Sequence, residues 1–239
     1  MTSGLYFWIK APNWWILALI PLTLKVITNI IMIYLNNISK SFSHKPSNKV
    51  LTEISLKLES KKTYAFYGSN GSGKTTLFKI IAGLIVQDSG SVNFESVNTN
   101  VCYVASNQRA FINRITAHEN LDYFFTARTG RKLIFNERIN EIANILGLSA
   151  LLDRNVSNLS TGEIQKLSIL RALTYKPDIL ILDETFVSID EASVKNILQI
   201  LKEEIETNSL ENVLISSHDI NLLEQSSDSI LHMESINAN

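Results

Sequence analysis

The chain has 239 residues, 45% of them apolar, with 22 lysines and arginines against 23 aspartates and glutamates and a formal charge of −1. That length and apolar share suit one domain, or one domain with a lobe and a tail. Balanced charge without a basic run argues against a nucleic-acid partner. The single cysteine, Cys102, excludes an internal disulfide and a thiolate metal cluster.

Residues 1–31 differ from the remainder. They hold all three tryptophans (Trp8, Trp14, Trp15), two lysines (Lys10, Lys25) and no acid. No small-residue cleavage site follows the apolar run, so a signal peptide fits poorly. A spanning helix of roughly 20 residues would place Lys25 near its middle, at a cost of about 2.5–3.5 kcal/mol. Three readings stand: an interfacial segment with tryptophans at headgroup depth, a start assigned too far upstream with Met32 as the natural beginning, and a packed part of the domain. The main domain is expected over 32–239.

Residues 33–42 and Val50 to Leu58 alternate like half-buried strands, with a turn carrying Pro46 between them. Thr63 to Tyr67 reads as a short strand. It leads into Gly68-Ser69-Asn70-Gly71-Ser72-Gly73-Lys74-Thr75-Thr76 and a helix with Leu77, Ile80 and Ile81 facing in. This spacing is a phosphate-cradling loop. Its glycines let backbone N–H groups turn around an anion, and the helix start adds unpaired N–H groups and a positive dipole end. Lys74 supplies a cation for the β- and γ-phosphates and Thr75 a hydroxyl for Mg2+. The chain is expected to bind a nucleoside triphosphate.

Further on, Ser91 to Glu95 and Val101 to Ala105 read as strands, and Cys102 as a small buried residue. From Thr116 the period becomes helical: Ala117 to Ala127, Asn136 to Leu146 with Gly147 as a stop, and Thr161 to Tyr175. These form a lobe, about 109–175, inserted in an α/β core. The segment Gln108 to Thr116, in which Phe111 and Ile112 look exposed, is the expected docking surface for a partner, with the helical lobe's own small core as the alternative. Asp178 to Asp183 is a buried parallel strand delivering Asp183 and Glu184 at its C-terminal end, where ligands bind in α/β sheets. Asp183 is placed to hold Mg2+, and Glu184 to polarise a water. Asn212 to Ser217 is a second apolar strand ending at His218, a residue able to donate to a γ-phosphate.

With Leu159-Ser160-Thr161-Gly162-Glu163 added, the pattern from Met32 to about Met233 resembles the nucleotide-binding domain of ATP-binding-cassette (ABC) transporters. The resemblance implies an α/β fold: a P-loop NTPase core with an antiparallel β subdomain and an inserted helical lobe. It also implies a Mg2+-dependent ATPase, with ATP between two cassettes paired head to tail as homodimer or heterodimer. By resemblance, Ser160 and Gly162 clamp the partner's γ-phosphate, and Gln108 touches Mg2+ and water and couples the site to the lobe. Phe42 stacks on adenine, Asp190 belongs to the loop crossing the dimer interface, and His218 is the switch histidine. Permease subunits at the cytoplasmic face of the membrane would be the further partners, with export favoured by the short lobe. Thr161 and Glu163 depart from the more usual glycine and glutamine, and Thr185 from proline, but no charged catalytic group is lost. A soluble ATPase of the same family and a weakly hydrolysing heterodimer partner are the rival expectations.

Overall fold

The computed structural model describes residues 32–42, 49–106 and 111–237. The expectations for 1–31, for the Pro46 turn and for Gln108 therefore lie outside the described residues.

Two sheets form. Strands β1 (Ile33–Ser41), β2 (Lys49–Leu58) and β4 (Ser89–Phe94) make an antiparallel sheet in the order β2-β1-β4. Strands β3 (Lys62–Tyr67), β5 (Val101–Ala105), β6 (Ile179–Asp183), β7 (Asn212–Ser216) and β8 (Ser229–His232) make an all-parallel sheet in the order β5-β6-β7-β3-β8. Because β6, β7 and β3 are neighbours and parallel, the segments following Asp183, Ser216 and Tyr67 leave the same edge of the sheet.

The apolar run of β6 follows from burial on both faces. Leu180 and Leu182 face a core shared with the helical layer, while Ile179 and Ile181 face a second core shared with the antiparallel sheet and helix α1 (Lys74–Ile81). All four side chains are fully buried, and each such burial contributes about 1.5–3 kcal/mol. In α1, Leu77, Ile80 and Ile81 are buried, as their spacing predicts.

Helices α2 (Ala117–Thr129), α3 (Glu137–Ile145) and α4 (Thr161–Thr174) cover the expected helical stretch. Thr116 and Glu119 form a reciprocal capping box at the start of α2, and Asn136 caps α3 through the Ile139 amide. The sequence reading named no element between β6 and β7 and none beyond β7, yet α5 (Glu191–Glu206), α6 (Ile220–Ser226), β8 and α7 (Met233–Ile236) complete the fold. Arg138 of α3 meets Glu141 and reaches Glu203 and Glu204 of α5, tying the helical stretch to the core.

One expectation is corrected. Phe111 is not an exposed docking residue: it is 8% exposed, with Arg171 stacked 4.3 Å from its ring centroid and Phe124 edge-on at 6.2 Å. Only Ile112 of that pair is open to solvent. Cys102 is buried as expected, with Arg128 Nη1 3.2 Å from its sulfur, and burial pushes the thiol pKa up.

Candidate nucleotide-binding site

The loop between β3 and α1 is shaped by two left-handed glycines, Gly71 at φ 83° and Gly73 at φ 101°. Gly73 is required twice over. Its φ disfavours a side chain, and a Cβ would lie 2.6 Å from Leu51 Cδ2 and 3.0 Å from the Val50 carbonyl of β2. Gly68 also fits closely, since a Cβ would meet Ser72 Oγ at 2.8 Å and Met233 Cβ at 3.0 Å. Ser69, Asn70 and Gly71 are exposed, as is Thr75 in the first turn of α1, with Thr76 half-buried.

Lys74 is 4% exposed, and its Nζ donates to the carbonyls of Gly68 (2.7 Å) and Ser69 (3.1 Å). The ammonium is thus held over the loop. The first turn of α1 carries no acidic residue, and its N-cap Gly73 has no side chain to occupy the helix N–H groups. Glycine cradle, open helix start and enclosed lysine together suit a phosphate chain.

At the neighbouring strand ends, Asp183 is 4% exposed and both its oxygens have donors. Ser216 Oγ donates to Oδ1 at 2.6 Å, and Tyr103 Oη donates to Oδ2 at 2.7 Å. Burial, then the bond to Asp183, drives the Tyr103 phenol far above its ordinary pKa, so it stays protonated and remains a donor. A carboxylate has about four lone-pair positions, so Asp183 keeps acceptor capacity for a hydrated cation. An aspartate at a strand end neighbouring a phosphate loop that carries a threonine hydroxyl offers the oxygen donors that suit Mg2+.

Glu184 follows directly, in the left-handed region at φ 52°. The Ser216 carbonyl and hydroxyl hold its amide at 3.2 and 3.0 Å. Its Oε1 lies 2.7 Å from His218 Nε2, and both side chains are partly open to solvent. A non-glycine residue kept at positive φ by such contacts marks strain concentrated where a side chain is aimed.

Ser160 caps α4. Its Oγ accepts from the Glu163 amide at 3.3 Å while its own amide donates to Glu163 Oε2 at 2.6 Å, and this bond is the main cause holding the Glu163 carboxyl below its usual pKa. Glu163 therefore acts as the capping partner of Ser160. Thr161 is exposed, whereas Gly162 is the close-packed position: a Cβ there would sit 2.5 Å from the Ser188 carbonyl. Asp190 caps α5 through the Ser193 amide at 2.8 Å. Phe42 is 63% exposed, with Lys40 Nζ 5.7 Å from its ring centroid, a flat face free to stack.

The structure thus brings together residues 68–76, Asp183, Glu184 and His218 at the C-terminal ends of neighbouring parallel strands. Among the described residues no hydrogen bond or ion pair joins Ser160 or Gly162 to 68–76. A groove of about 570 Å³ between Lys61, Lys202 and Asp228 lies at the opposite end of the strands and holds none of these groups. Sequence reasoning missed Tyr103 and Ser216 around Asp183, and Glu234, whose carboxylate accepts from Ser69. A serine pair before His218 at a strand end was the available signal for Ser216.

Comparison with known proteins agrees with this geometry. A family model described as ABC transporter matches residues 51–187, more than half of the chain. The molybdate/tungstate import ATP-binding protein of Methanocaldococcus jannaschii is 33% identical over 179 residues, covering 72% of this chain and 58% of that protein. The sulfate/thiosulfate import ATP-binding protein of Halalkalibacterium halodurans is 31% identical over 181 residues, covering 71% of this chain and 50% of that protein. The chain thus spans about half to three fifths of the length of these relatives. Among solved structures, a dimeric ATP-binding cassette in a post-hydrolysis state, bound to ADP and Pi, superposes with a TM-score of 0.70 at 22% identity, over 84% of this chain and 93% of that one. That likeness speaks for the fold, a P-loop NTPase core with an antiparallel and a parallel sheet. The chain belongs to the ABC transporter family and carries its ATP-binding domain.

Proposed function

We propose that this protein is an ATPase that works as a head-to-tail pair and drives translocation through separate membrane-spanning subunits. The observation that carries the reading is the meeting of the phosphate loop, Asp183, Glu184 and His218 at the C-terminal ends of neighbouring parallel strands.

In this reading the loop amides beyond Ser69 and the start of α1 bind the phosphates, and Lys74 swings from the Gly68 and Ser69 carbonyls to the β- and γ-oxygens. Thr75, Asp183 and Gln108 would hold Mg2+, which when bound supplies charge neutralisation at those oxygens. Glu184 orients the attacking water and accepts its proton, while His218 positions Glu184 and donates to the γ-phosphate. Phe42 stacks on adenine. Ser160 and Gly162 make no hydrogen bond to their own chain's loop among the described residues, and in this reading their amides and hydroxyl serve the γ-phosphate held by a partner, with Asp190 at the crossing between the two.

Residues 32–239 form the ATPase domain, with its helical lobe at about 109–175. Residues 1–31 are an apolar extension at the cytoplasmic membrane face. No helix among the described residues is long and apolar enough to cross a membrane, and the pore is assigned to other chains. The short lobe favours export, whereas the import names of the two relatives favour the opposite direction. Coupled transport in vesicles of known orientation decides between them.

The Lys74→Ala variant tests the site. Loss of a charge-assisted contact should weaken ATP binding about 10- to 100-fold and abolish turnover. Wild-type affinity and turnover in that variant would remove the phosphate loop from the account.

A further inference from the structure

One short segment, Met233 to Asn237, touches the start of the phosphate loop and the strand that supports its last glycine. At the start of the loop, Glu234 Oε1 accepts from the Ser69 amide at 2.8 Å and from Ser69 Oγ at 2.9 Å. Met233 is fully buried, and its Cβ and Glu234 Oε2 fill the space where a Gly68 side chain would stand. At the far end, Asn237 bridges to β2: its Oδ1 accepts from the Thr52 amide at 2.7 Å, and its Nδ2 donates to the Val50 carbonyl at 2.9 Å. That Val50 carbonyl is the atom Gly73 packs against. The segment is itself closed by an Asn237 amide to Met233 carbonyl bond of 2.9 Å. Five residues thus connect the first limb of the loop to the strand that supports its last glycine.

We propose that this segment is a brace for the phosphate loop, and that Glu234 is a positioning residue for nucleotide binding acting through Ser69. The inference rests on the nucleotide-binding reading given above. A loop whose first limb is already fixed in place loses less conformational freedom when a phosphate chain enters. Glu234 holds the Ser69 amide without reaching into the helix start. The acceptor oxygen, rather than the negative charge, is what the brace uses. A second carboxylate near the phosphates would by charge alone weaken their binding, so the two roles predict opposite outcomes.

The test is equilibrium binding of ATP with Mg2+ to the full chain as wild type, Lys74→Ala, Glu234→Ala, Glu234→Gln and Asn237→Ala, with steady-state hydrolysis alongside. Glu234→Ala should raise the Kd about fivefold, with the larger kinetic change in KM rather than kcat. Glu234→Gln keeps an acceptor oxygen and should return the Kd to within about twofold of wild type. Asn237→Ala should weaken binding in the same direction. Glu234 is exposed, so its truncation leaves the core intact, and Glu234→Gln and Asn237→Ala carry the test if it does not. Equal or tighter binding by Glu234→Ala overturns the proposal, as does a glutamine variant no better than alanine or an unaffected Asn237→Ala. If wild type fails to bind ATP, or Lys74→Ala binds as well as wild type, the nucleotide reading itself falls and the brace falls with it.

Discussion

Glu184 and His218 meet at 2.7 Å across the ends of two adjacent parallel strands, Oε1 to Nε2. Sheet pairing fixes this meeting, because Asp183 and Ser216 are register partners and the two residues stand one and two positions beyond. Replacing His218 by alanine should weaken ATP binding by about fivefold at most, the loss of one hydrogen bond, and lower kcat by about 100-fold or more, because Glu184 then loses the group that positions it as the base. Single-turnover hydrolysis with separately measured ATP binding checks the split.

Tyr103 and Ser216 should matter to the cation more than to the nucleotide alone. Each supplies one donor to the buried Asp183 carboxylate, and Ser216 also holds the Glu184 amide. Tyr103→Phe and Ser216→Ala are expected to shift the Mg2+ concentration for half-maximal ATPase several-fold, on the order of one hydrogen bond. Ser216→Ala should also lower unfolding stability by about 1–3 kcal/mol, since it leaves buried groups short of partners. A Mg2+ titration and urea unfolding of both variants check this.

Gly162→Ala should behave unlike any change at Thr161. A Cβ at 162 meets the Ser188 carbonyl, so the start of α4 must move away from the 185–190 loop. Overpacking of this kind costs about 1–3 kcal/mol, and ATPase should fall with it. Thr161→Gly touches an exposed position and should leave stability within about 1 kcal/mol of wild type. Thermal unfolding of the two variants side by side separates them.

Acid should loosen the helical stretch through its two capping boxes. Glu163 and Glu119 are held below the ordinary glutamate pKa, chiefly by the backbone amides of Ser160 and Thr116. A depressed folded-state pKa means that the unfolded chain binds more protons. The stabilisation is therefore complete above about pH 4.5 and disappears as pH falls through the lower folded values. The Glu119→Gln, Glu163→Gln double variant keeps both acceptors and should show a shallower loss of stability between about pH 5 and pH 3. Circular dichroism melts across that range provide the measurement.

Contiguous patterns were readable from the chain because their cause is local. The strand, glycine loop and helix through Lys74 are set by backbone conformation at adjacent positions, and the β6 run by burial on both faces. The partners of Asp183 were not readable: Tyr103 and Ser216 lie 80 and 33 residues away, and only sheet pairing brings them close. Glu234 meets Ser69 across 165 residues, at a helix too short to give a periodic signal. Phe111 was misjudged for a related reason. Arg171 and Phe124, on helices distant in the chain, cover its ring.

The proposed head-to-tail pairing has Ser160 serve a partner's phosphate loop rather than its own, and Glu184→Gln tests that pairing. With hydrolysis blocked and binding retained, light scattering at saturating ATP and Mg2+ should give twice the monomer mass, falling back when nucleotide is removed. A monomer mass under those conditions, with ATP demonstrably bound, would contradict the head-to-tail account.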